Sequence, residues 1–113
     1  MNRYVEVGLL ADARSGKAVV VVPSSMADGR AAFDALAVEA TDATRIERSN
    51  GRECVEFENG GSVRFVAPHS TGSLGLGLRP DVVFVEGWNT LAQRQRDELL
   101  ATASKRGGEL IRA

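Results

Sequence analysis

The chain has 113 residues, enough for one domain with a real core and too few for two. Hydrophobic residues make up 43% and charged residues 26%, an ordinary globular balance, and a formal net charge of −1 gives no general pull toward nucleic acid or a membrane surface. The single cysteine, Cys54, excludes an internal disulfide framework, and with one histidine, His69, it argues against a Cys/His zinc site.

From Asn2 to Ala13, the spacing of Val5, Leu9, Leu10 and Ala13 predicts a short helix with one apolar stripe and Gly16 at its C′ position. It opens almost at the first residue, so nothing upstream is expected to hold its start. Lys17 leads into Ala18-Val19-Val20-Val21-Val22, the most β-branched segment of the chain. Such a run suits a central strand covered on both faces and ended by Pro23. Ser25 offers its hydroxyl to an early amide of a second helix, with Asp28 near the positive end. Ala32, Phe33, Leu36 and Ala37 form its inward face, and Gly29 costs it about 1 kcal/mol relative to Ala.

The period then changes. Arg45–Arg48, Glu53–Glu58 and Ser62–Val66 are separated by Asn50-Gly51 and Asn59-Gly60, the strongest short hairpin signals available. Val55 and Phe57 share a face, as do Val63 and Phe65, which predicts an antiparallel meander with one dry side. Pro68 to Leu78 reads as a loop containing His69. Its glycines run opposite to the dinucleotide fingerprint and a strand follows where that fingerprint needs a helix, so a surface loop is the expectation.

Arg79-Pro80-Asp81-Val82-Val83-Phe84-Val85-Glu86-Gly87-Trp88 contains a second unbroken apolar run, again a strand buried on both faces. A carboxylate at the carboxyl end of such a strand stands where open α/β sheets bind ligands, which makes Glu86 a candidate site residue. Ending a buried strand in solvent is the plainer role open to it. Trp88, just past the strand, either closes the core or anchors a partner, and core closure is the favoured reading. Asn89 or Thr90 can cap a last helix, and Thr90-x-x-Gln93 has capping-box form, with Leu91, Ala92, Leu99, Leu100 and Ala103 inward and Lys105 and Arg106 near the helix end. Gly107-Gly108 stops it, and Glu109–Arg112 reads as a final strand.

The order of elements resembles the RecA-like P-loop ATPase core, in particular that of phage terminase large subunits and superfamily 2 helicases. The resemblance runs through Gly16–Ser24, similar to the family's second strand and following loop, and through the Asn59–Phe65 hairpin. It continues in Ser73–Gly87, similar to the approach to the Walker B strand. It implies an α/β domain over residues 1–113, a mainly parallel sheet flanked by helices with an inserted antiparallel β-hairpin.

The departures from that pattern decide the expected activity. The family's first strand and Walker A loop precede the helix placed here at Asn2–Ala13, and Ser15-Gly16-Lys17 is no substitute because it follows a helix and opens a strand. Where the family has Asp-Glu, this chain has Glu86-Gly87. Phosphoryl transfer needs a phosphate cradle and a carboxylate that positions water, so the expectation is a non-catalytic module with no catalytic residues, metal or cofactor. It would act through a protein partner or self-association, with DNA as a further partner, in phage DNA packaging or DNA metabolism. Loss of the first strand would leave an open position beside Val19–Val22. The alternative is a nucleotide-dependent enzyme subunit whose P-loop comes from a partner chain, with Glu86 organising magnesium.

Glu86 and Asp81 are thus the expected vestige of a metal or nucleotide site. Asp81 lies five residues earlier on an extended strand, on the opposite face and well apart, which disfavours a nuclease-like pair. Arg79, Trp88, Arg64 and Arg45 are the candidate contacts to a partner or nucleic acid. Around the hairpins the arginines are interleaved with Glu47, Glu53, Glu56 and Glu58, the pattern of a solvated face. No apolar stretch approaches the roughly 20 residues of a membrane span and Met1 opens no signal-peptide pattern, so the expected location is cytoplasmic, with no membrane partner.

Overall fold

A computed structural model describes residues 1–49, 51–67, 79–104 and 107–113. The expectations for Asn50, the Pro68–Leu78 loop with His69, Lys105 and Arg106 fall outside those residues. The elements are α1 (Arg3–Arg14), β1 (Ala18–Val22), α2 (Met26–Glu39), β2 (Arg45–Glu47), β3 (Cys54–Glu56), β4 (Ser62–Phe65), β5 (Val82–Val85), α3 (Gln93–Ser104) and β6 (Glu109–Arg112). The six strands form one mixed sheet in the order β2-β3-β4-β1-β5-β6.

Both unbroken apolar runs are central strands. β1 pairs in parallel with β4 on one edge and with β5 on the other, and β5 pairs in parallel with β6. Alternate side chains of these strands enter two separate cores. Val19, Val21, Val82 and Phe84 pack with Leu9, Leu10 and Ala13 of α1 and with Phe33 and Leu36 of α2. Val20, Val22, Val83 and Val85 pack on the other side with Trp88, Leu91, Leu99 and Ala103. The domain is therefore three layers, α1 and α2 over one face and α3 over the other.

The meander is present as β2-β3-β4, antiparallel throughout, with Val55, Phe57, Val63 and Phe65 buried in the first core. Its third strand is hydrogen-bonded to β1, so the hairpin continues the main sheet. This corrects one expectation. No open position lies beside Val19–Val22, and among the described residues the outermost strands of the sheet are β2 and β6.

The Asn59-Gly60-Gly61 turn has a second role besides reversing the chain. Asn59 Nδ2 donates to the Arg14 carbonyl and its Oδ1 accepts from the Gly61 amide, which ties the turn to the end of α1. A Cβ on Gly61 would overlap the Ala13 carbonyl oxygen, so only glycine permits this approach. From the same helix end, Arg14 donates a forked pair of hydrogen bonds to the Asp42 carboxylate and lies over the Phe57 ring at 5.5 Å. The guanidinium's hydrogen bonds hold the Asp42 carboxyl below its ordinary value.

Two helix starts carry caps. Asn2 accepts from the Val5 amide at 2.9 Å and so caps the start of α1. Ser25 accepts from the Asp28 amide at 3.1 Å, as its position before α2 predicts. The third start departs from expectation. The Thr90 hydroxyl donates back to the Gly87 carbonyl and closes a 3-10 turn over Trp88–Thr90, Leu91 is extended, and α3 begins only at Gln93. Leu91 and Ala92 thus precede the helix, Gln95 Oε1 accepts from the Ala92 amide, and Leu100 is exposed.

Because β1 and β5 are closed on both faces, a charge there has no route to water. Val20→Asp and Phe84→Asp should each abolish soluble folding, since an unpaired buried carboxylate costs several kcal/mol against a total stability of roughly 5–15 kcal/mol. Soluble expression with cooperative thermal melting of both variants would show the opposite.

Candidate functional site at the carboxyl ends of β1 and β5

The chain leaves β4 on one side of β1 and re-enters the sheet as β5 on the other. That reversal places the carboxyl ends of β1 and β5 at a crevice, the position where open α/β sheets take ligands. β1 runs into Pro23, Ser24 and the Ser25 cap of α2; β5 runs into Glu86, Gly87 and the Trp88–Thr90 turn. The Glu86 amide donates to the Val22 carbonyl at 2.9 Å, which fixes the two exits side by side.

Glu86 lies between two clefts. One, of about 340 Å³, is bordered by Ser24, Ser25, Glu86, Thr90 and Gln95. The other, of about 410 Å³, is bordered by Met1, Glu6, Asp28, Ala31 and Glu86. The carboxylate is mostly buried. Its Oε2 is 3.6 Å from the α-ammonium of Met1, while Oε1 is sealed from solvent and has no hydrogen-bond partner. A buried carboxylate oxygen left without a donor is costly, and so marks a place where another group would be welcome.

Gly87 has φ +68, and a Cβ there would come within 3.2 Å of the Ser24 Cβ and 3.1 Å of the Thr90 hydroxyl. The left-handed backbone and the neighbouring Ser24 both select glycine. A carboxylate at 87 would require a different turn. Glu86 is the acid that β5 itself carries to this end, its Oε2 faces Met1, and no three His, Cys, Asp or Glu side chains among the described residues are grouped as a magnesium site would need.

The other candidate residues lie elsewhere. Asp81 stands at the opposite end of β5, where its Oδ2 accepts from the Ala18 amide at 2.8 Å and so satisfies the first group of β1. Arg79 is exposed just before it and has an intramolecular partner. Trp88 is buried in the second core, with the Arg112 guanidinium 5.4 Å above its ring. Arg64 and Arg45 are on the sheet's other wing. Register places Arg64 opposite Cys54 and Arg45 opposite Glu56 on one face, and Arg45 ion-pairs with Glu47 at 3.3 Å and Glu56 at 3.6 Å. Burial pushes the Cys54 thiol up within that group.

Glu6 is the residue that sequence reasoning missed. The buried face of α1 is Glu6, Leu9, Leu10 and Ala13, so an acid occupies the first inward position. The signal was present, since Leu9, Leu10 and Ala13 extended back one turn reach Glu6 as readily as Val5.

Comparison with protein-family models and with curated proteins returns no match for this chain. Among the described residues, no helix is long and apolar enough to cross a membrane.

The Gly87 turn is directly testable. Gly87→Ala should lower stability by roughly 1–2 kcal/mol through the left-handed backbone alone, read as a shift of the urea midpoint at constant slope. An unchanged midpoint would show that the turn relaxes freely.

Proposed function

We propose that this chain is a non-catalytic RecA-like binding module, of the kind that phage DNA-packaging or DNA-metabolism machinery uses, and that it works by protein contact at the free edge of β6. The observation that carries this reading is the edge itself. Among the described residues, Glu109–Arg112 is hydrogen-bonded to β5 on one side only and ends the sheet. Beside it lies an apolar groove of about 420 Å³ bordered by Val5, Leu9, Phe84 and Ile111. A strand edge offers unpaired amides and carbonyls, and the groove offers area for apolar side chains, the two ingredients of strand addition.

The opposite edge is less suited. β2 spans only Arg45–Glu47, and its charged ends discourage pairing. Arg45 is already committed to Glu47 and Glu56, which weakens the case for DNA on that wing. A second copy of this chain is the partner that requires no other component. Sedimentation should then show concentration-dependent association that Ile111→Asp removes. A monomer at every concentration, or association unaffected by the substitution, would reject self-association through β6.

The isolated chain should release no phosphate from ATP with magnesium. Phosphoryl transfer needs amides at a helix start to cradle phosphate and a carboxylate to orient water. Here Asn2 occupies the start of α1 and Gly87 brings no side chain. The unpartnered Oε1 of Glu86 is the one observation favouring the other reading, a nucleotide-dependent subunit completed by a partner's P-loop. Steady-state turnover by the wild type that disappears in Glu86→Ala would establish that reading in place of ours.

A further inference from the structure

Glu6 is only 8% exposed, and its carboxylate has no hydrogen-bond or ion-pair partner among the described residues. It borders the 410 Å³ cleft that α1, α2 and the end of β5 enclose, together with Asp28 and Glu86. Asp28 Oδ2 accepts the Ser24 hydroxyl at 2.9 Å. Glu86 has one oxygen sealed without a partner, so its charge is answered only by groups that reach Oε2, where the Met1 ammonium lies at 3.6 Å. Three carboxylates therefore border this cleft, and among the described residues the Met1 ammonium pairs with Glu86 alone. The remaining wall is Ala31, Ala32 and Ala35, which contribute methyl groups and no polar side chain.

Glu6 and Glu86 are largely withdrawn from water while Asp28 stands exposed at the rim, so a counter-charge gains most at the first two, where less water screens it. A divalent metal would require oxygens converging to roughly 2.0–2.6 Å. No three His, Cys, Asp or Glu side chains among the described residues form such a group. Negative groups spread around an apolar wall match a ligand whose positive charges are separated by methylenes. We propose that this cleft binds a short aliphatic diamine or polyamine. One ammonium meets Glu6, another meets the Glu86 and Asp28 side, and the methylene chain lies over the alanines. A monoamine satisfies one carboxylate and leaves the others uncompensated, so the number of charges sets selectivity. This site is on the opposite side of α1 from any use of the β6 edge and stands without it.

Calorimetric titration of the full chain with putrescine and with spermidine, at low ionic strength, tests the proposal. Saturable binding is expected, weakened at least about tenfold in Glu6→Gln, with no saturable heat from butylamine or from magnesium chloride at matched ionic strength. Glu6→Gln keeps the shape of the side chain and removes a charge that has no protein partner among the described residues, so it should melt no lower than the wild type, which separates lost binding from lost folding. Should that variant fail to fold, Asp28→Asn at an exposed position decides instead, with the same weakening expected. Absence of saturable heat, unchanged affinity in the deciding variant, or equal binding by magnesium overturns the assignment.

Discussion

The structure depends on β1 being closed in every direction. Both its edges are hydrogen-bonded, to β4 and β5, and both its faces are covered. A strand in that position has no water to satisfy its backbone, so each amide and carbonyl must find a protein partner. The Asp81 carboxylate takes the Ala18 amide, the Val66 amide takes the Val21 carbonyl, and the Glu86 amide takes the Val22 carbonyl. Those end contacts fix where β4 and β5 start and stop. The crevice at the carboxyl end follows from the same requirement.

Much of this was legible because it rests on local chemistry. An unbroken Val19–Val22 run has no use except double burial, and the Asn59-Gly60 pair has few alternatives to a hairpin. Pairing of β4 with β1 was not legible, because the side chains of Ser62–Phe65 look the same whichever strand lies beyond them. The start of α3 was misread for a related reason. Thr90 has the residue type of a helix cap, but the left-handed Gly87 two residues from the strand end makes its own carbonyl the nearer acceptor. The same limit applies at the crevice. Asp81 and Glu86 are indistinguishable as acids flanking a strand, yet one is spent on a backbone amide and the other is left half answered.

Charge placement runs through the molecule in two modes. Arg14 with Asp42, and Arg45 with Glu47 and Glu56, are paired at the surface, where each pair contributes little to stability and mainly fixes local geometry. Glu6 and Glu86 are different, since both are largely buried, Glu6 without a partner among the described residues and Glu86 with one of its two oxygens unanswered. Natural cores rarely keep such groups on inward positions without a purpose. Their shared cleft, away from the paired surface charges, is where the sequence departs most from what packing alone would select.

The mixed order of the sheet also governs how the chain reaches this state. β2, β3 and β4 are neighbours in sequence and can pair as soon as their turns close. β1 cannot, because its partners are Ser62–Phe65 and Val82–Val85, each reached only after a long stretch of chain is drawn in. Distant pairings of this kind slow folding, since closure entropy is lost before any contact compensates it. During synthesis β1 therefore emerges ahead of both its sheet partners and cannot pair with either until β4 has left the ribosome. In that interval the nearest cover along the chain is α1 before it and α2 after it, the two helices that flank it in sequence and later share one face of the sheet.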